Sequence, residues 1–171
     1  WQVCEASGLA TIGIMLPEFK ESADWRKIGL HLLVEHMQQD VEPDGAHYEL
    51  TPGYHTWVLM EFLKIGLLCQ ANGQEVPGLL DRHEKMFEFL MHLRQPDGMF
   101  VTVGDAGYAR EHNSVAESLG LGALMYQRSD MRYLGVEQGD ESWLWLFGPG
   151  VFEKYARLKA QPPAFTSALL P

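Results

Sequence analysis

With 171 residues, 46% of them hydrophobic and 21% charged, the chain has the make-up of an ordinary globular domain and the length to bury a sizeable core. Its formal charge of −10 argues against nucleic acid as the main partner, because phosphate binding needs clustered Lys and Arg, and it is awkward for an anionic sugar polymer too unless local basic groups dominate a cleft. The longest apolar stretch, 57–69, is interrupted by Glu61 and Lys64, so nothing approaches the ~20 consecutive apolar residues of a membrane span.

Helical periodicity dominates, and no run alternates as a strand does. The first segment, 1–16, stops ahead of Pro17, which disfavours helix in the residue before it. The second starts near Ser22, a candidate N-cap, and runs to Asp40 with Trp25, Ile28 and Leu32 along one apolar stripe. The third opens at Pro52-Gly53 and ends at Asn72-Gly73; it is apolar nearly all round, as a helix buried on most faces must be. The fourth covers about 79–94, with Leu80, His83, Phe87, Leu90 and Arg94 on one face, and shorter helices are expected at 114–127, 142–147 and 151–159. The turn Pro43-Asp44-Gly45 recurs as Pro96-Asp97-Gly98, an offset of 53 residues that holds two helices and their loops. Repetition at that spacing suggests stacked helical hairpins, in a toroid or a solenoid. The tail beginning Pro162-Pro163 reads as a linker, and Cys4 and Cys69 read as buried free thiols outside any spaced metal motif. The chain opens on Trp-Gln-Val-Cys-Glu rather than on a basic start and an apolar stretch, so no signal peptide is read.

Chemistry-bearing residues are densest at 44–55, Asp-Gly-Ala-His-Tyr-Glu-Leu-Thr-Pro-Gly-Tyr-His, a loop running into the first turn of the third helix. Reactive groups concentrate on loops held by a rigid scaffold. A phenol at Tyr54 would sit where the helix macrodipole favours negative charge, which makes it a better base than an ordinary tyrosine. Read from residue types alone, a Tyr-His pair that starts a helix is more often cap and packing than chemistry.

This motif resembles the signature of heparinase II/III-like polysaccharide lyases and related alginate lyases. The stretch Ala10-Thr11-Ile12-Gly13-Ile14 before Pro17 and Phe19, the downstream Pro96-Asp97-Gly98 with Val103-Gly104-Asp105, and Trp143-Leu144-Trp145-Leu146-Phe147-Gly148 are similar to flanking parts of the same family. The resemblance implies an all-α fold, an incomplete α/α toroid built of antiparallel helical hairpins over 1–161, with 162–171 a linker toward a β-sandwich domain. It implies cleavage of an acidic, uronic-acid-containing polysaccharide by β-elimination, without a cofactor or bound metal, in a bacterial periplasmic or secreted enzyme. Tyr54 takes the acid/base role by motif position. His47 and Glu49 are expected to contact substrate or to position groups that do, and His55 either orients the tyrosine or packs. The family's carboxylate-neutralising Asn or His would fall at or just before Trp1, and the first thirty residues hold neither type, leaving Gln2 as the nearby amide. The chain alone is therefore expected to be incomplete for catalysis, its partners being the upstream helices and downstream β-sandwich of a parent protein.

Arg110 and His112, in the polar loop before the fifth helix, are candidate cations for an anionic sugar. His31, Glu35 and His36 match no helical zinc-protease spacing and read as a solvated polar face. The tryptophans read mainly as core, with one or two able to stack on sugar rings. Two other classes remain open: a glycoside hydrolase using Asp44 and Glu49 as its carboxylate pair, and a non-catalytic helical repeat that binds partners.

Overall fold

The computed structural model describes residues 1–104 and 112–164, with side chains described outside 112–114. Its helices are α1 (Gln2–Met15), α2 (Ser22–Gln39), α3 (Pro52–Ala71), α4 (His83–Leu93), α5 (His112–Tyr126), α6 (Ser129–Leu134), α7 (Ser142–Phe147) and α8 (Val151–Arg157). Among the described residues, the extended pairing consists of two isolated bridges.

Glycine sets the first hairpin. A Cβ on Gly13 would lie 2.3 Å from the Arg26 backbone nitrogen, and one on Gly29 would lie 2.5 Å from that of Ala10, so α1 and α2 pack antiparallel with their backbones almost touching. The small face wins the interface because it admits the closest approach. The buried residues of α2 are Ser22, Gly29, Leu30, Leu33 and Met37. The stripe expected to be buried instead faces outward, with Ile28 49% and Leu32 36% exposed. Ser22 is also a correction: Glu21 is the N-cap, and Ser22 lies inside the helix, its hydroxyl donating to the Pro17 carbonyl at 3.2 Å.

Helix α3 starts as its sequence dictates, with Thr51 as N-cap accepting from the Tyr54 amide at 3.4 Å and Pro52 in the first turn. It packs against α1, α4, α5 and α7, which accounts for the full burial of Leu59, Phe62 and Leu63. Two buried histidines fasten α4 to it. His55 Nε2 donates to the Met86 carbonyl and His83 Nε2 to the Leu59 carbonyl, each at 2.9 Å. Since His83 is then neutral at Nδ1, that nitrogen accepts from the Tyr126 hydroxyl of α5 at 2.7 Å. The pairs 55–86 and 59–83 run in opposite chain directions, as do His83–Tyr126 and Phe87–Gly122, so α3, α4 and α5 are successively antiparallel. Helix α4 is shorter than expected because 79–82 forms a turn, from which Arg82 reaches the carbonyls of Gln38 and Val41.

The recurring tripeptide is a repeated structure. In the first copy Gly45 donates to the Glu42 carbonyl and Ala46 to the Asp44 carboxylate; in the second Gly98 donates to Gln95 and Met99 to Asp97, all four at 2.9 Å. The bridges Val41–His47 and Arg94–Phe100 close the two turns at the same 53-residue register, and both glycines adopt φ near +91°, at +92° and +91°. Asp supplies the side-chain acceptor and Gly the left-handed backbone. Beyond α5, Trp143 is fully buried and meets the Tyr155 ring edge-on at 4.8 Å, while α6 is a short helix too brief for periodicity to reveal.

Candidate active site

The 41–51 loop descends from the C-terminus of α2 and returns at the N-terminus of α3, where it meets the N-terminal end of α1. A cleft of about 620 Å³ opens at this meeting point. Its lining brings together Gln2, His47, Glu49 and Tyr54, four residues singled out in the sequence, with Trp1, His36, Asp40 and Trp57 around them. Tyr54 is half-buried rather than enclosed by the core, and it stands in the first turn of α3 with Trp57 one turn further on.

His47 is 2% exposed, its ring lies 4.8 Å from that of Tyr48, and its Nδ1 is buried with no hydrogen-bond partner. Burial pushes its pKa down from the usual histidine value, against the opposing pull of Glu49 and Asp40, so the neutral ring is the favoured form. Glu49 is half-buried on the same wall. The positive end of the α3 macrodipole also points at this cleft, which favours negative charge there.

His55 has left the site. It is 1% exposed inside the α3–α4 interface, its Nε2 committed to the Met86 carbonyl, and burial lowers its pKa to about 4. The packing alternative therefore describes it, because one residue along an α-helix turns the side chain by about 100°. Asp44 is likewise absent from the cleft lining, its carboxylate accepting from the Ala46 amide within the turn. Arg110 lies outside the described residues, and so does the side chain of His112.

Two cleft residues escape the sequence reading. His36 groups there with His31 and Glu35 as a solvated face, and those two do form an exposed pair at 3.6 Å. His36 instead faces the cleft, its Nδ1 2.6 Å from an Asp40 carboxylate oxygen. Their spacing, i and i+4 at the end of a helix that leads into the motif loop, is the signal that could have found them. Cys4 also lines the cleft and is only partly buried, whereas Cys69 is buried; both are free thiols. The tryptophans are redistributed too. Trp143 alone is core, Trp25 is half-buried against Phe19, and Trp1, Trp57 and Trp145 are 84%, 36% and 91% exposed.

A family model described as Heparinase II/III N-terminus matches residues 1–133. The chain belongs to this family. Within the heparinase II/III family it is similar to a heparin-sulfate lyase of Bacteroides stercoris, 28% identical over 136 residues, covering 78% of this chain and 20% of the relative. A heparin-sulfate lyase of Pedobacter heparinus is 27% identical over 128 residues, covering 73% of this chain and 19% of that one. One of Bacteroides thetaiotaomicron is 34% identical over 70 residues, or 41% of this chain and 10% of that one. The chain thus spans about a fifth or less of these relatives' length. The crystal structure of heparinase III superposes with a TM-score of 0.69 at 24% identity, over 81% of this chain and 24% of that one. The likeness establishes the fold: the helical hairpins form an arc of an α/α toroid.

Proposed function

We propose that this heparinase II/III-family chain forms one wall of the active site of a polysaccharide lyase that cleaves uronic-acid-containing polysaccharide by β-elimination, with Tyr54 transferring protons. The observation that carries the reading is that Tyr54 opens on the cleft it shares with Gln2, His47 and Glu49. In the reaction a base removes the C5 proton of the uronate, the C4–O bond breaks, its electron pair leaves with the oxygen, and that oxygen takes up a proton. A C4=C5 double bond remains in the sugar. A phenol beside the ring can serve the leaving oxygen as acid, the C5 carbon as base after deprotonation, or both in turn. His47, buried and favoured as the neutral ring, is suited to steady Glu49 and the motif loop rather than to neutralise the uronate. The residue that neutralises the carboxylate belongs, on this reading, to helices preceding Trp1. Segment 162–171 leads toward a β-sandwich that completes the cleft, and the parent enzyme works in the bacterial periplasm or outside the cell.

The hydrolase alternative is weakened by the position of Asp44, which is bound within its turn and leaves Glu49 without a facing carboxylate from the motif. The test is Tyr54→Phe in the longer protein, followed by the ultraviolet absorbance of the unsaturated uronate. Removal of the proton-transferring hydroxyl should lower kcat about 10²–10⁴-fold with little change in KM. Turnover within threefold of the parent (about 0.7 kcal/mol) would dismiss Tyr54 as the catalytic group.

A further inference from the structure

The cleft poses an electrostatic problem that Tyr54 does not answer. An acidic polysaccharide carries carboxylate and often sulfate groups, yet the lining contains neither Lys nor Arg among the described residues, while Asp40 and Glu49 are both present. The side chains there able to carry positive charge are His36 and His47. Burial favours the neutral form of His47, which leaves His36.

Asp40 fixes how His36 can act. A carboxylate accepts only, so at 2.6 Å the proton lies on His36 Nδ1, and the opposite nitrogen, Nε2, is left for other partners. Both side chains are largely shielded, at 17% and 24% exposure, so the ring is held rather than free to rotate in solvent. His36 and Gln2 also line an adjoining cavity of about 580 Å³ between α1 and α2. They are the two residues whose side chains line both cavities. The charged groups around the imidazole are Asp40 and Glu35 on its own helix, Glu5 across the adjoining cavity on α1, and His47 and Glu49 on the motif loop.

We propose that His36, held through Nδ1 by Asp40, binds an anionic group of the sugar chain, a uronate carboxylate or a sulfate, through Nε2 as the imidazolium. The inference rests on the reading of the cleft as a polysaccharide site and adds a binding group beyond the motif. A purely local role also exists for this pair, since a histidine in the last turn and an i, i+4 partner support the end of α2 by a few tenths of a kcal/mol. Binding measurements separate the two.

Affinity is measured by calorimetry for oligosaccharides of heparan sulfate and of unsulfated heparosan, using the longer protein in the Tyr54→Phe background so that bound sugar is not consumed. His36→Gln should weaken binding about five- to twentyfold, the worth of one charge-assisted hydrogen bond in a partly wet cleft. His36→Arg, which keeps a cation, should stay within about threefold of the parent (about 0.7 kcal/mol). Weakening toward both polymers assigns the carboxylate; weakening toward heparan sulfate alone assigns the sulfate. Asp40→Asn should also weaken binding by releasing the ring. Unchanged affinity in His36→Gln overturns the proposal, and so does tighter binding in Asp40→Asn, which would mean that Asp40 only repels the ligand. Absence of binding to either polymer overturns it together with the polysaccharide reading. If Tyr54→Phe still turns substrate over, the catalytic role of Tyr54 fails while the His36 comparison keeps its own answer.

Discussion

His55 and His83 are polar groups enclosed by apolar neighbours, and each is a neutral ring donating from Nε2 to a carbonyl of the facing helix; Nδ1 of His83 meets the Tyr126 hydroxyl, whereas Nδ1 of His55 is buried without a hydrogen-bond partner. Burial, the largest influence on both, holds their pKa values at about 4. An unfolded histidine titrates near 6.5. The unfolded chain therefore binds more protons than the folded one between those values, and stability must fall as pH drops from about 6.5 toward 4. Each ring contributes on the order of 3 kcal/mol across that window. Urea midpoints taken from pH 7 to 4.5 should decline steadily; a flat profile would show that both rings are hydrated in solution. The same reasoning explains why His55 is legible in the sequence only as a candidate. Its position beside Tyr54 suits a residue that faces the cleft and one that faces the core alike, and only the neighbouring helix decides between them.

At the scale of elements, the α1–α2 hairpin depends on two glycines with different neighbours from a third. Gly29→Ala places a methyl against the Ala10 and Ala6 backbone, which cannot yield as a side chain would. A loss of about 2–3 kcal/mol is expected, with the hairpin forced apart. Gly8, on the exposed side of α1, has open space where a methyl would stand, with nothing within 4 Å, so Gly8→Ala should stabilise by up to about 1 kcal/mol through helix propensity. Thermal unfolding of the two variants should shift in opposite directions, and a shared direction would contradict this packing. Helix starts and stops are readable because their causes are local: Thr51 and Pro52 open α3, and Asn72-Gly73 closes it. The repeated Pro-Asp-Gly turn is readable for the same reason. The buried face of α2 is not, since amphipathic pattern points to Trp25, Ile28 and Leu32, whereas the close approach of two backbones selects the glycine face.

For the whole molecule, the 53-residue repeat places a second groove one hairpin further along the arc. Phe100 occupies there the register that His47 holds in the first copy, and Trp57 forms part of both walls. Because the chain spans about a fifth or less of the heparin-sulfate lyases it matches, the proposed reaction belongs to a longer protein. The isolated chain should yield no unsaturated uronate in a prolonged incubation, and the longer protein should yield it readily; full activity from the chain alone would place every catalytic group within it. Sequence by itself determined the helical class, most element boundaries, the recurring turn and the loop that bears Tyr54, because each is set by residues within a few positions of one another. Tertiary structure decided which side chains share the cleft. His36 and Asp40 entered it, while His55 and Asp44 left it, because burial and facing partners come from helices far apart in the chain, whose approach no local pattern encodes.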